Sequence, residues 1–132
     1  MNKIKIGTIQ VNNSFSGQNY LPLSLGFLVS YAEMHCKNFN DFEFLNPIYK
    51  RVPIKDAIEQ YKDCDIVAFS VYVWNNNISM RIAKALKEVN PNILTLVGGC
   101  HIPERPEYIE KYMSDHPYID IASVGEGERV FT

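Results

Sequence analysis

The chain has 132 residues, a formal net charge of -2 and a pI near 5.9, which fits one domain long enough to bury its own core. Apolar residues make up 46% and charged residues 21%, the balance of a globular protein rather than a disordered or fibrous one. The 13 Lys and Arg are scattered with no basic stripe for nucleic acid, and no apolar run approaches the length of a membrane span. A cytoplasmic protein with no nucleic-acid or membrane partner is the expectation.

The run Ile4 to Val11 predicts a first strand. Asn12, Asn13, Ser14, Ser16 and Gly17 follow as a polar loop rich in turn residues. Pro22 opens a helix in which Leu21, Leu25, Leu28 and Ala32 share one face, the pattern of a helix packed on a sheet. Phe42 to Leu45 reads as a second, weaker strand, and Pro53 begins a short helix with Ile54, Ala57, Ile58 and Tyr61 facing inward.

Ile66 to Val71 is a continuous apolar run, as expected of a central parallel strand covered on both faces. Ile78, Ile82, Ala85, Leu86 and Val89 mark the clearest helix, stopped by Asn90-Pro91-Asn92, with Asn76 or Asn77 as its expected N-cap. Ile93 to Val97 is a fourth strand, Pro106 to Met113 a helix, and Ile119 to Val124 a fifth strand before Gly125-Glu126-Gly127-Glu128 opens a last helix. Five strands alternating with helices predict an α/β, doubly wound, five-stranded parallel sheet in flavodoxin-like order 2-1-3-4-5. In that layout ligands sit beyond the carboxyl ends of the strands, near the switch point. Residues 1–132 form a single domain. The last helix barely begins before Thr132, so the chain is expected to be the front of a longer protein, with a tendency to dimerise through apolar residues such as Val130 and Phe131.

The chemistry-bearing candidates lie at those strand ends. Ser70 offers a hydroxyl to a ligand nitrogen or oxygen, or to its own backbone. Trp74 offers a flat face, either to a planar ligand or to packing. Gly98-Gly99 permits a turn at positive φ and a close approach of ligand to main chain. Cys100 and His101 follow, without the further ligands a metal needs or the partners a nucleophile needs. Cys36, Cys64 and Cys100 form no metal-binding or disulfide spacing. Gly125-Glu126-Gly127-Glu128 presents N–H groups at a helix start but no G-K-[ST] phosphate loop. Its two carboxylates favour a hydroxyl or amide partner over a bare phosphate.

Taken together, Pro22-Leu23-Ser24-Leu25-Gly26, Ser70-Val71-Tyr72-Val73-Trp74-Asn75, Gly98-Gly99-Cys100-His101 and the terminal Gly-Glu-Gly-Glu resemble the N-terminal cobalamin-binding domain of cobalamin-dependent radical S-adenosylmethionine enzymes. The resemblance covers nearly the whole chain. It implies that Ser70, Val71, Tyr72, Trp74, Gly98, Gly99, Cys100, His101, Gly125, Glu126 and Gly127 contact cobalamin, with the nucleotide tail entering between the loops of Ser70 and Gly98. The histidine that many cobalamin domains supply to cobalt after the first strand is missing from Asn12-Asn13-Ser14-Phe15-Ser16-Gly17. The resemblance therefore implies base-off cobalamin with no protein histidine from that loop. No C-x-x-x-C-x-x-C stands in this chain. The four-iron four-sulfur cluster and S-adenosylmethionine are thus expected in a downstream radical domain, the partner implied, and this segment alone is not expected to catalyse.

Two other readings share the fold. A receiver domain needs a phosphorylatable Asp at the end of the third strand, where Ser70 stands. A flavodoxin-like carrier would hold the FMN phosphate on Ser14, Ser16 and Gly17 and stack the flavin on Trp74. A domain kept as a cofactor-free interaction module is a third possibility.

Overall fold

The computed structural model describes residues 2–132. In chain order the elements are β1 (Ile4–Ile9), the short strands β2 (Ser14–Phe15) and β3 (Gln18–Asn19), α1 (Leu23–His35), β4 (Phe42–Phe44), α2 (Ile54–Tyr61), β5 (Ile66–Ser70), α3 (Asn76–Val89), β6 (Leu94–Gly98), α4 (Pro106–Asp115), β7 (Ile121–Ala122) and α5 (Glu128–Phe131). A 3₁₀ turn, Phe39–Asp41, leads into β4. β4, β1, β5, β6 and β7 form one parallel sheet in that order. Counting only these five strands along the chain, the order is 2-1-3-4-5, as the sequence predicts.

Side chains alternate across a strand, and the two sheet faces have different fates. Ile9, Val67, Phe69, Val71, Ile93 and Val97 point into one dry cluster. There they meet Ala57 and Tyr61 of α2, Ile82, Ala83 and Leu86 of α3, and Tyr112 of α4. Tyr61 is fully buried, and its ring stands where a side chain on Gly7 would be: a Cβ there would lie 2.7 Å from the ring. Its hydroxyl faces the carbonyls of Asn46 (2.6 Å) and Thr8 (2.9 Å), and burial pushes its pKa up to about 12. Burial likewise pushes the Cys64 thiol up to about 11, so it is an inert packing group at neutral pH.

The opposite face carries α1 and the short α5. Only Leu25 and Ala32 of α1 are fully buried. Between α1, α5 and the sheet run a cleft of about 460 Å³ at the carboxyl end and an apolar trough of about 250 Å³ further back. Phe42, Phe44, Leu94 and Ile121 wall the trough. Phe131 lies 6.1 Å from Phe44, ring to ring, and is half-buried, whereas Val130 is exposed.

Several local expectations are corrected. Residues 12–21 are not merely a polar loop: β2 and β3 pair antiparallel around Ser16 (φ 50°) and Gly17 (φ 75°). Two consecutive positive φ values are the signature of a two-residue hairpin turn. Leu21 lies before α1 and is exposed, so it is not on the helix's inner face. Strand β1 ends at Ile9, although Val11 is buried and Ile9 still bridges to Ile48. The fifth strand is only Ile121–Ala122. Val89 and Ala85 give up the α3 core positions to Ser79, Met80 and Ala83.

Asn75, not Asn76 or Asn77, precedes α3, and it makes no cap hydrogen bond to that helix. Its side chain is fully buried and ties strand ends together instead. The amide donates to the carbonyls of Val11 and Ser70 (both 3.1 Å), and its oxygen accepts from the N–H of Tyr72 (2.8 Å). Strand ends bring their orphan backbone groups to one point, and one buried amide with two donors and an acceptor satisfies three of them.

Candidate cofactor cleft

The cleft is built where β5, β6 and β7 end. Ser70 pairs with Gly98 across β5 and β6, and the N–H of Ser123 binds the carbonyl of Val97 at 2.8 Å just past β7. Ser70, Gly98 and Ser123 thus form one row across three neighbouring strands on the cleft side. Ser70 and Ser123 are buried, 6% and 8% exposed. The missing side chain at Gly98 leaves the floor open between them, since a Cβ there would meet only the Cβ of Ser123, at 3.6 Å.

The two glycines of the pair do different work. Gly99 sits at φ +111°, and a Cβ on it would lie 2.6 Å from the carbonyl oxygen and 2.9 Å from the nitrogen of Val71. It is glycine because the chain must turn hard against the end of β5, not because ligand approaches it there. Val71 seals the turn: its N–H donates to Gly98 O (2.7 Å), and its carbonyl accepts from the N–H of His101 (3.1 Å). Gly98 is the position whose lost side chain opens space.

α1 closes the cleft from above with Ser24, Leu25, Phe27 and Leu28. Tyr72 reaches across to α1, its hydroxyl 2.6 Å from that of Ser24. Trp74 stacks on Tyr72 with ring centroids 4.7 Å apart and planes within 5°; it is half exposed and lies outside the cleft. The mouth carries Glu104, Glu126 and Glu128, and no Lys, Arg or His lines the cleft among the described residues. A dianionic phosphate ester would meet three carboxylates there without a countercharge.

Of the sequence-predicted contacts, the structure brings Ser70, Tyr72, Gly98, Gly99, Cys100, Gly125, Glu126 and Gly127 to this cleft. Val71, Trp74 and His101 are outside it. Val71 holds the turn by its backbone, and His101 stands edge-on to Tyr112 at 6.5 Å. No group of three His, Cys, Asp or Glu side chains that could hold a metal occurs among the described residues. Sequence reasoning missed Ser24 and Phe27, which only the helix's placement brings near. It also missed Ser123, which sat unremarked inside a predicted strand.

Ser14, Ser16 and Gly17 sit exposed on the β2–β3 hairpin. They do not converge into a phosphate cradle, and the flavin reading loses its anchor.

The family model described as B12 binding domain matches residues 22–132. The chain belongs to that family. A cobalamin-dependent radical SAM methyltransferase, TokK, of Streptomyces tokunonensis is 38% identical over 113 residues, 85% of this chain and 16% of that protein. The 2-(S-pantetheinyl)-carbapenam-3-carboxylate methyltransferase of Streptantibioticus cattleyicolor is 35% identical over a similar span. An uncharacterized methyltransferase, PH0819, of Pyrococcus horikoshii is 28% identical, over 83% of this chain and 23% of that protein. The chain therefore spans about a sixth of the first two relatives. Among solved structures, a pilus assembly protein, CpaE, from Caulobacter crescentus superposes with a TM-score of 0.58 at 10% identity, covering 98% of this chain and 89% of its own. That likeness concerns the fold alone.

Two features of the cleft suit a bound cofactor. The Gly98 floor is a cradle that a side chain would fill, and the buried Ser123 hydroxyl has no hydrogen-bond partner among the described residues. Its volume falls within the roughly 300–1,000 Å³ of small-molecule sites.

Proposed function

We propose that this domain binds cobalamin base-off, with the nucleotide tail in the cleft beneath α1, and presents the corrin to a catalytic domain of a longer radical S-adenosylmethionine methyltransferase. The observation that carries the reading is the Ser70–Gly98–Ser123 row, an open glycine floor flanked by two serines at the carboxyl edge of the sheet. The names of the relatives, cobalamin-dependent radical SAM methyltransferase and methyltransferase, supply the reaction class. Cobalamin supplies a cobalt centre able to carry a methyl group. This chain's residues bind the tail and orient the ring, while the iron–sulfur cluster and S-adenosylmethionine belong to the downstream domain.

Tyr72, held by Ser24 and stacked on Trp74, forms a rigid aromatic shelf beside the cleft. Gly125, Glu126 and Gly127 edge its mouth, where the carboxylate can accept from the amide side chains of the corrin. Tyr20, Leu21, Leu23, Phe27 and Val73 are exposed around the same end of the molecule, an apolar rim suited to burial against the downstream domain. The hairpin loop offers cobalt no histidine, and His101 lies outside the cleft. Neither would therefore supply a histidine to cobalt.

Hydroxocobalamin titrated into the protein in imidazole-free buffer tests the reading. The expected result is saturable binding with the visible spectrum of a base-off corrinoid. A folded protein that leaves the spectrum unchanged, or that binds cobalamin with its base still on cobalt, would contradict it.

A further inference from the structure

The roof of the cleft is lightly fastened. Only Leu25 and Ala32 among the 13 residues of α1 are fully buried, and no side chain caps its N-terminus. Among the described residues, one side-chain hydrogen bond joins α1 to the rest of the molecule: the Ser24 hydroxyl meets that of Tyr72 at 2.6 Å. The two ends of this bond are unequally held. Tyr72 is fixed, its ring stacked on Trp74 at 4.7 Å and its N–H donating to the buried Asn75 side chain at 2.8 Å. Ser24 rides on the helix. Towards the turn after β7, α1 makes an apolar contact, with Leu28 lying 3.4 Å from where a Cβ on Gly127 would stand. The roof therefore reaches from Tyr72 to Gly127, and one hydroxyl pair latches it.

We propose that the Ser24–Tyr72 pair is a latch on α1, which rises to admit or release cobalamin and is held down when the pair closes. This rests on the reading that the cleft takes the nucleotide tail. Tyr72 is then a positioning residue, acting through Ser24 on the helix that brings Leu25, Phe27 and Leu28 to the cleft wall. A helix of 13 residues is marginal without packing partners, so α1 frays when raised and its amides exchange with solvent in that state. One neutral hydrogen bond shifts the balance between raised and seated forms by about 2- to 12-fold. Cobalamin enters and leaves through the same raised form, so losing the latch speeds both steps by one factor.

Hydrogen exchange and stopped-flow binding of hydroxocobalamin in imidazole-free buffer test the proposal on Tyr72→Phe, which keeps the ring, on Ser24→Ala, and on the double variant. In the free protein, each single variant is expected to speed amide exchange along α1 by about 2- to 12-fold and to leave α3 at the wild-type rate. With hydroxocobalamin, each should raise the association and dissociation rates together by that factor. The double variant should go no further than either single one, since both remove the same bond. Unchanged exchange of α1 in both single variants would overturn the proposal. So would faster dissociation with unchanged association, the mark of hydroxyls that touch the ligand directly, or single effects that add in the double variant. A folded wild-type protein that binds no hydroxocobalamin would contradict the functional reading, and the gating with it. The exchange measurement needs no ligand and keeps the two failures apart.

Discussion

The two faces of the sheet are made from the same five strands yet do opposite jobs. On the α2–α3 side, residues such as Val67, Ile82 and Leu86 are completely buried in one packed cluster. On the α1–α5 side, the strand ends show Ser70, Gly98 and Ser123, and α1 stands off far enough to leave about 460 Å³ between helix and sheet. The α1 sequence explains the looseness. It is apolar nearly all round, with Leu23, Phe27 and Met34 exposed, so it lacks the single stripe that seats a helix closely. Stability is concentrated on one face and binding on the other. Substitutions should therefore separate the two.

The largest effect is expected from the packed face. Leu86→Ala should cost about 2–5 kcal/mol in urea denaturation, since its side chain is fully buried in the cluster. Affinity for cobalamin, measured where the variant is still folded, should stay within about twofold of wild type, a difference of about 0.4 kcal/mol. Gly99→Ala comes next. Its φ of +111° and the 2.6 Å approach to Val71 O should destabilise the fold by at least the roughly 1–3 kcal/mol of a strained backbone position, so its binding loss would follow from unfolding.

Gly98→Ala should behave in the opposite sense. The added methyl makes only ordinary contact with Ser123, so thermal stability should hold within about 0.5 kcal/mol. It also occupies the floor of the cleft, and cobalamin affinity should drop tenfold or more, about 1.4 kcal/mol. A Gly98→Ala protein that binds normally would break the division between the faces.

The smallest expected effect concerns pH and the strap that ties Lys87 of α3 to Asp120 beside β7. Partial burial would raise the Asp120 carboxyl pKa, but the Lys87 ammonium at 2.6 Å and the N–H and hydroxyl of Thr95 outweigh it and hold it below the ordinary 3.8. A carboxyl depressed in the folded state contributes stability above its unfolded pKa and loses it as pH falls through the folded value. Wild type should therefore exceed Asp120→Asn in urea midpoint at pH 7, with the gap closing below the ordinary value of 3.8. An equal gap at pH 7 and pH 2 would contradict the assignment.

Much of this was legible in the sequence because the central strand is buried on both faces and the helices are punctuated by proline. Ile66 to Ser70 and Pro106 at the start of α4 announce themselves, and the strand order follows from the alternation. The hairpin was hidden because Ser16-Gly17 reads as generic turn composition, and only the paired positive φ values reveal a two-residue turn. Asn75 was hidden for a different reason. Its three partners come from residues 11, 70 and 72, and helix-start rules look only at the helix. The site divided the same way. Glycines and Ser70 at strand ends are visible by position, whereas Ser123 becomes a candidate only when its neighbours fail to satisfy it. Trp74, conspicuous in the sequence, turns out to stack on Tyr72 beside the cleft rather than within it.

The most direct test is an amide NMR map of this 15.2 kDa chain with and without saturating cobalamin in its diamagnetic cobalt(III) form. The resonances of Ser24 to Leu28, Ser70, Gly98, Ser123 and Gly125 should shift most, and those of Ala57, Ile82 and Leu86 should stay in place. Shifts concentrated on α2 and α3, or on the 14–19 hairpin alone, would contradict a tail seated between α1 and the Ser70–Gly98–Ser123 row.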